Sequence, residues 1–389
     1  MNSDESRANG VARAMDESAA VRVLSSRDFP TVVLIDTVNF CNARCPFCPL
    51  FQGESQMDRE KRPATIMPQE LFDRILRELR GWERPPDSIL LSPNSEILTD
   101  PLLMERLDTL RSFDMAKVTT LLTNGQFLDE AKARAILEAG VQQLMPGFDG
   151  ASKTVYEGHR VRCNYERVLG NIQSFVKLRD ASAHKTNIII KFVRTPRNDH
   201  EVADAYSLFN AFLDPELDRF NDALATDWAN VGSSVDALYY YPKLTEGRRV
   251  GRCNYFEDGL MIQADGKIGA CCWDYNLTIS GGGLGDANDT SLLDVWRGGR
   301  RQALQQSFLA CDDNIPDACK SCIMIYEWDP IPDRLVRFED SIIESRGPTS
   351  FMCLFRGTAA PATEPLAEAS PETGVARRML RRIAWFLFP

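Results

Sequence analysis

Three cysteines near the N-terminus carry the strongest chemical signal in this 389-residue chain. Cys41, Cys45 and Cys48 stand in the sequence Cys-Asn-Ala-Arg-Cys-Pro-Phe-Cys, directly after a predicted buried strand. Thiolates at this spacing can hold three corners of one iron–sulfur cube. Because no fourth cysteine is close in the sequence, one iron would stay open for a ligand that is not protein. A zinc site or a chance cluster is the alternative, although zinc usually takes a fourth nearby ligand.

Composition and charge limit the classes of protein to consider. The net charge of −10 argues against a general nucleic-acid-binding face. Residues 1–20 are polar and acidic and lack the apolar core of a signal peptide. Eleven cysteines without an export signal favour a cytoplasmic location and metal ligation rather than disulfides. The three histidines, His159, His184 and His200, lack metal-ligand spacing, so any metal chemistry should be sulfur-ligated.

Short apolar runs alternate with helical patterns between residues 29 and 240. The predicted strands are 31–38, 88–91, 118–122, 141–145, 187–193 and 235–241. The helical patterns are 68–80, 102–113, 130–139, 164–178 and 201–213. Such alternation predicts parallel strands with helical crossovers. The expected fold class is α/β: a partial (β/α)6 TIM-like barrel with its active site at the carboxyl ends of the strands, followed by a small cysteine-rich α+β domain.

Changes in amino-acid composition along the sequence divide the chain into six segments. We expect a disordered tail over residues 1–28 and the partial barrel over residues 29–245. Residues 246–335 are dense in cysteine, glycine and aspartate and should form a small domain held together by metal. A C-terminal extension (336–356), a low-complexity linker (357–374) and a basic amphipathic tail (375–389) follow.

The first cysteine set is similar to the signature of the radical S-adenosylmethionine (radical SAM) superfamily. That signature is C-x3-C-x2-C with an aromatic residue before the last cysteine, here Phe47. The resemblance implies a 4Fe–4S cluster on Cys41, Cys45 and Cys48, with SAM chelating the open iron through its amino and carboxylate groups. It also implies an external one-electron reductant of the flavodoxin or ferredoxin type. Reductive cleavage of SAM would give a 5′-deoxyadenosyl radical that takes a hydrogen atom from the substrate.

Other stretches resemble family motifs in the expected order. Asn94-Ser95-Glu96 stands where the family usually has Gly-Gly-Glu, which meets the SAM amino group. Glu96 is retained and the glycines are not. Asn124 lies in Leu-Thr-Asn-Gly, a common family sequence after the third strand, although a strand-end turn is the alternative.

Two more motifs bear on the SAM carboxylate. Gly147-Phe-Asp-Gly150 resembles Ser-Leu-Asp-Gly, with Gly147 in place of a serine that helps to hold that carboxylate. Arg160 closes a Glu-Gly-His-Arg stretch that resembles the one whose arginine reaches the same group; a surface salt bridge is the alternative. The resemblance therefore predicts Phe47, Glu96, Asn124 and Arg160 as cofactor-binding residues.

A second cysteine set resembles the C-terminal SPASM and twitch domains of radical SAM proteins. Cys253 is followed eighteen residues later by Cys271, and Cys319 and Cys322 close the set. The resemblance implies that these four thiolates saturate one auxiliary 4Fe–4S cluster; a zinc ribbon is the alternative. A full SPASM domain expects a further cysteine where Trp328 stands, so we predict no second auxiliary cluster. Four cysteines remain. Cys163 lies in a helical stretch and is expected to be a buried core residue, and Cys272, Cys311 and Cys353 receive no role.

A fully ligated auxiliary cluster predicts electron transfer rather than substrate binding. If hydrogen abstraction leaves an alpha-hydroxy radical, an oxidised cluster nearby can take the remaining electron and a ketone results. This arrangement resembles dehydrogenases of the butirosin aminocyclitol type. Only forty residues precede Cys41, so the N-terminal peptide-recognition domain of many SPASM enzymes is predicted to be absent. We therefore expect a radical SAM oxidoreductase acting on a sugar, an aminocyclitol or a related polar metabolite.

Several alternatives remain at this stage. Within the class they are modification of a peptide or protein side chain, and epimerisation or dehydration of a sugar. From a different class they are a non-catalytic iron–sulfur electron carrier and a zinc-stapled binding protein. Lys191, Arg194 and Tyr239 to Tyr241 stand near predicted strand ends and are candidates to face the barrel interior; a surface or core role is the alternative for each. The general base that a ketone-forming reaction needs is not identified.

The C-terminal tail combines basic and apolar residues. Arg377, Arg378, Arg381 and Arg382 can cluster on one helical face beside apolar side chains such as Trp385. A helix of this kind can lie on an anionic membrane, and docking on a partner or on the enzyme itself is the alternative. Deleting residues 375–389 should then abolish co-sedimentation with anionic liposomes. Unchanged sedimentation of the truncated chain would contradict this prediction.

Overall fold

The computed structural model describes residues 28–48, 50, 63–225, 248–249, 253–311, 313–320 and 322–327. The predicted strand at 235–241 lies outside these ranges, with Tyr239 to Tyr241. So do Trp328, Cys353 and the predicted N-terminal tail, C-terminal extension, linker and basic tail, apart from residue 28.

In the described ranges, six parallel strands and their crossover helices form the first part of the molecule. In chain order they are β1 (Val32–Ile35), α1 (Gln69–Gly81), β2 (Ser88–Leu91), α2 (Leu103–Ser112), β3 (Thr119–Thr123), α3 (Glu130–Ala139), β4 (Gln143–Pro146), α4 (Lys153–His159), α5 (Tyr165–Asp180), β5 (Asn187–Arg194), α6 (Val202–Asn210) and β6 (Arg219–Leu224). Each of these strands pairs parallel with the next. The parallel, barrel-like core that the alternation predicts is therefore confirmed.

Local sequence explains where these helices begin and end. The Asp129 side chain accepts the amide of Lys132 and caps the start of α3. Gly140 follows the helix with φ +74°, in the left-handed region that glycine adopts without steric cost. The Asn164 side chain caps α5 in the same way as Asp129 caps α3. These signals fix the predicted helices to within a few residues.

The two faces of the sheet pack into different apolar cores because side chains alternate along a strand. Outward side chains such as Val33, Ile89 and Ile190 pack with the surrounding helices. Inward side chains form a second core that fills the barrel interior: Val32, Leu34, Leu90, Met145 and Ile189. The same inward core contains Cys253, Cys271, Cys272, Cys319 and Cys322. The barrel interior is thus in direct contact with the cysteine-rich segment.

The cysteine-rich segment continues the barrel sheet. Its elements are β7 (Arg248–Arg249), α7 (Asn254–Asp258), β8 (Gly259–Ile262), β9 (Lys267–Gly269), β10 (Gly285–Asp286), α8 (Leu292–Trp296), α9 (Gly299–Ala310), α10 (Asp317–Lys320) and β11 (Tyr326–Glu327). β8 pairs parallel with β1, and β9 and β10 follow antiparallel. The sheet therefore runs β10-β9-β8-β1-β2-β3-β4-β5-β6, and β7 and β11 form a separate pair. Strand β8 is the link that places the second cysteine set beside the first.

Arg194 has a structural role in the core. It lies on the outward face of β5, and its buried guanidinium pairs with Asp199 and with Asp222 of β6. Of the two roles open for Arg194 from the sequence, the structure supports the core role and not a position facing the barrel interior. The pairing of Arg194 also explains why β6, Arg-Phe-Asn-Asp-Ala-Leu, was missed: the strand carries a buried carboxylate in place of an apolar side chain.

Candidate active site

The first cysteine loop follows β1 and lies at the carboxyl ends of the parallel strands. The amide of Cys48 donates to the Cys45 carbonyl at 3.0 Å, and the amide of Ala43 donates to the Cys41 thiol at 3.4 Å. Burial raises the pKa of both Cys41 and Cys45, and the other two thiols of the set raise that of Cys41 further. Burial and mutual repulsion disfavour the thiolate forms of these three cysteines. The positive charge of cluster irons would stabilise those thiolates, so the loop fits an iron–sulfur cluster.

No three described His, Cys, Asp or Glu side chains converge closely enough to hold a single metal ion. A cubane cluster is larger than one ion, and each of its thiolates binds a different iron. The neighbouring but separate cysteines of this loop are compatible with the larger group.

Glu96 is buried beside the cysteine loop and is held by three hydrogen bonds. Its carboxylate accepts from the Thr123 hydroxyl at 2.6 Å and from the amides of Asn124 at 2.6 Å and Leu98 at 3.0 Å. Burial raises the pKa of Glu96 against the opposing effect of these bonds. A carboxylate fixed in this way is suited to meet an ammonium group at the end of β2 and β3.

Asn124 contacts the cysteine loop directly. Its side-chain amide donates to the Asn42 side chain at 2.8 Å and lies 3.7 Å from the Cys41 sulfur. Asn42 in turn reaches the thiol of Cys163 at 4.0 Å. Cys163 is buried as expected, but it stands between α4 and α5 rather than within a helix. The structure therefore gives Asn124 a position beside Cys41, within reach of anything bound there.

Arg160 is the charged centre on the opposite side of the loop. Its Nε donates to Asp149, its Nη1 lies 3.9 Å from the Cys45 sulfur, and its guanidinium lies over the Phe47 ring at 5.3 Å. Burial alone would lower the pKa of Arg160, but Asp149 and the Cys45 thiol hold it well above the usual value. The predicted site residues Phe47 and Arg160 are thus brought together, and a surface salt bridge is not what the structure contains.

Asp149 and Gly147 complete the Arg160 site, and neither received a role from the sequence alone. The second oxygen of Asp149 accepts the Val193 amide at 2.7 Å, so this carboxylate ties Arg160 to β5. A Cβ on Gly147 would lie 2.1 Å from Nη2 of Arg160. Because glycine stands where the family has serine, the arginine side chain occupies the space that the serine would fill.

Asn94 replaces a family glycine and connects the Glu96 loop to the second cysteine loop. Its amide donates to Asp36 at 3.0 Å, and its side chain donates to the carbonyl of Cys272 at 2.8 Å. Ser95 also donates to Asp36, at 3.3 Å. The loss of the glycine therefore has a visible consequence: a direct hydrogen bond between the Glu96 loop and the second cysteine loop.

The second cysteine set surrounds a buried turn between β9 and β10. Burial raises the pKa of Cys271 well above its usual value, and the neighbouring Cys272, Cys253 and Cys319 thiols add to the effect. Asp274, which the sequence analysis missed, organises this turn by accepting the amides of Ala270, Ile279 and Ser280. Cys311 stands apart, exposed at the end of α9. Cys253, Cys271, Cys319 and Cys322 are all buried, and their assignment as the ligands of one auxiliary cluster stays a prediction.

Comparison with known proteins agrees with this geometry. A profile of the radical SAM superfamily matches residues 35–206, and a profile of an iron–sulfur cluster-binding domain, SPASM, matches residues 253–323. Residues 35–206 therefore carry a radical SAM domain, and residues 253–323 carry a SPASM domain. These two domains imply 4Fe–4S clusters and SAM as cofactors. A search of curated protein sequences gives no significant match.

Solved structures share the fold at low sequence identity. Streptococcus suis SuiB bound to its precursor peptide SuiA is 14% identical, with a TM-score of 0.55 over 74% of this chain and 69% of that one. SuiB bound to SAM gives 16% identity and a TM-score of 0.52, over 74% of this chain and 70% of that one. BtrN in complex with AdoMet and 2-DOIA is 13% identical, with a TM-score of 0.50 over 76% of this chain and 93% of that one. At this identity the likeness establishes the radical SAM and SPASM architecture.

None of the helices in the described ranges is long and apolar enough to cross a membrane. The amphipathic tail that could contact a membrane surface lies outside those ranges.

Proposed function

We propose that this radical SAM enzyme oxidises a hydroxyl group of a small polar metabolite such as a sugar or an aminocyclitol. When bound, the first cluster and SAM supply the 5′-deoxyadenosyl radical that abstracts a hydrogen atom from carbon. A cytoplasmic location and an external reductant of the flavodoxin or ferredoxin type belong to the same proposal. The protein must bind SAM, place the substrate carbon and hydroxyl, and keep water away.

Residues of the first site would divide the binding of SAM between them. Cys41, Cys45 and Cys48 would hold the cluster, and Glu96 would accept from the SAM ammonium. Arg160, kept charged by Asp149 and packed over Phe47, would meet the SAM carboxylate. Asn124, beside Cys41, would close the loop around the bound group.

The single observation that carries the oxidation is the shared apolar core. Barrel-interior residues such as Leu34 and Ile189 pack with Cys253, Cys271, Cys319 and Cys322. A cluster on these four thiolates would therefore border the barrel interior. An electron acceptor in that position suits a reaction that removes one hydrogen atom, one proton and one electron from the substrate.

Peptide modification is the second candidate, because SuiB was crystallised with a precursor peptide whereas BtrN was crystallised with 2-DOIA. The small substrate is supported by Lys191, a polar side chain of β5 that lies outside the SAM-binding residues but within the electrostatic influence of Arg160 and Asp149. A polar group in this position can hydrogen-bond a substrate hydroxyl.

The proposal is tested by product analysis under strictly anaerobic conditions. The reconstituted enzyme is incubated with SAM, dithionite and separate hydroxylated compounds, with sugars, aminocyclitols and a Ser-containing peptide as the panel. We expect 5′-deoxyadenosine together with a metabolite product lighter by the mass of two hydrogen atoms. A product of unchanged mass would indicate epimerisation, loss of water would indicate dehydration, and turnover of the peptide alone would replace the proposal. No 5′-deoxyadenosine at all would favour the electron-carrier alternative.

A further inference from the structure

The inward face of β5 carries a charged residue that the SAM-binding motifs do not include. Ile188, Ile190 and Phe192 pack outward against the helices. Ile189 packs inward with the cysteine-rich segment. Lys191 is two residues beyond Ile189, and alternation along a strand puts it on the same inward face, nearer the carboxyl end. Its side chain is therefore directed into the barrel mouth, where the substrate of the proposed reaction would bind.

The surroundings of Lys191 place it between the two cysteine sets. Its backbone forms a bridge with Gly147, the residue against which Arg160 packs. Among the described residues, the charged and titratable groups that act on it include Arg160 and Asp149 from the SAM side, and Cys272 from the auxiliary side. Cys272 itself is linked to the Glu96 loop through Asn94. Lys191 thus borders both the region for SAM and the region for the auxiliary cluster, without belonging to either ligand set.

We propose that Lys191 is the general base of this enzyme, and that its neutral amine accepts the proton of the substrate hydroxyl. The inference rests on the oxidation proposed above and supplies the base that such a reaction needs. With the cofactors bound, the carbon-bound hydrogen would leave as an atom to the 5′-deoxyadenosyl radical and the hydroxyl proton would go to Nζ of Lys191. The remaining electron would go to the oxidised auxiliary cluster that Cys253, Cys271, Cys319 and Cys322 would hold. The carbon–oxygen single bond becomes a carbonyl.

The electrostatics of the site agree with this role. Burial lowers the pKa of Lys191 to about 7, and the Arg160 guanidinium contributes to the decrease. About half of the amine is then neutral at physiological pH, whereas an exposed lysine has an unperturbed pKa of about 10.4. A general base works best when its pKa lies near the working pH. Because the folded-state pKa is depressed, the neutral, proton-accepting form increases as pH rises through 7.

The first test measures the ionisation of Lys191 without any substrate. The intact reconstituted enzyme is treated with a trace of isotope-coded acetic anhydride at pH values from about 5.5 to about 10. Over this range a lysine with a lowered pKa becomes neutral and therefore reactive. Peptide mass spectrometry then gives the extent of labelling at each lysine. We expect the labelling of Lys191 to rise with a midpoint near pH 7, far below the value of about 10.4 for an unperturbed lysine. Labelling of Lys191 that is still rising at about pH 10 would overturn the proposal.

The second test separates a base from a binding cation. With an alcohol that the wild-type enzyme oxidises, Lys191→Met should reduce ketone formation by about 100-fold or more. Lys191→Arg should not rescue it, because guanidinium stays protonated. Ketone formation is expressed per SAM cleaved, so that an effect of either Lys191 variant on SAM cleavage is accounted for, and the control Lys185→Met should match the wild type within about twofold. Recovery of ketone formation in Lys191→Arg, or an activity that falls as pH rises through 7, would show that a positive charge is required and would overturn the proposal.

The two tests also separate this inference from the proposed function. An ordinary labelling midpoint alongside ketone formation rejects Lys191 as the base while the oxidation stands. A midpoint near pH 7 in an enzyme that oxidises no member of the panel rejects the oxidation, and the role of Lys191 in it.

Discussion

The combined variant Cys41→Ala, Cys45→Ala, Cys48→Ala should lose SAM cleavage completely and keep the auxiliary cluster. The three thiolates would be the protein ligands of the cluster that delivers the electron to SAM. Among the described residues, the other thiol next to this loop is that of Cys163. We expect 5′-deoxyadenosine to fall at least about 1,000-fold, the scale on which loss of a cofactor removes the chemistry it carries. Iron should fall from about eight to about four per chain. The measurement is chromatographic quantification of 5′-deoxyadenosine after reduction with dithionite.

Cys163→Ala is the matched control for this variant. Cys163 is as buried as Cys45 and lies 4.0 Å from Asn42, but it belongs to neither predicted ligand set. The control should retain both clusters and substantial SAM cleavage. If Cys163→Ala lost the cluster that cleaves SAM while the triple variant retained it, the assignment of the first site would be contradicted.

Gly147→Ser should weaken SAM binding even though it restores the residue that the family usually has. The new Cβ would lie 2.1 Å from Nη2 and 2.7 Å from Cζ of Arg160, closer than real contacts allow. The guanidinium would have to move away from Asp149 and Phe47. We expect SAM affinity to fall at least about tenfold. We also expect the free energy of unfolding to fall by about 3 kcal/mol, the scale for leaving one partner of a buried ion pair uncompensated.

Two comparisons make the Gly147→Ser result specific. Gly158→Ser is the matched control, because a Cβ at this position in α4 meets nothing within 4 Å. If Gly147→Ser acts through Arg160, then combining it with Arg160→Ala should cost little more than Arg160→Ala alone. Equilibrium dialysis of labelled SAM measures all four proteins. A gain in SAM affinity in Gly147→Ser would mean that the serine of the family can coexist with Arg160, and that the described packing is wrong.

The elements with strong periodic patterns were predictable from the sequence. The strand Ser88–Leu91 and the helix Glu130–Ala139 were predicted with their observed bounds, because apolar runs and capping residues mark both. The strand Arg219–Leu224 was not, since its Asp222 is buried by a long-range pair with Arg194 that no local pattern reveals. Pairing of β8 with β1 was equally invisible, because partners far apart in sequence leave no local trace.

The same division holds for the candidate site. Residue types and spacing were enough to single out Cys41 with Cys45 and Cys48, because metal ligands leave a recognisable spacing. Glu96 and Arg160 were predicted from the resemblance to radical SAM motifs. The residues that position them were not recognisable alone. Asp149 and Asn94 act through contacts that form only in the folded chain, the first with Arg160 and Val193 and the second with Cys272. The inward direction of Lys191 likewise depends on the register of β5.

The most direct test of the two-cluster account is the iron and acid-labile sulfide content of the full chain after anaerobic purification and reconstitution. The account predicts about eight of each per chain, four on the first cysteine set and four on Cys253, Cys271, Cys319 and Cys322. About four iron atoms and four sulfides per chain would mean that the proposed electron acceptor is missing, and this would contradict the oxidation. A colourless protein containing zinc would contradict the cluster assignments altogether.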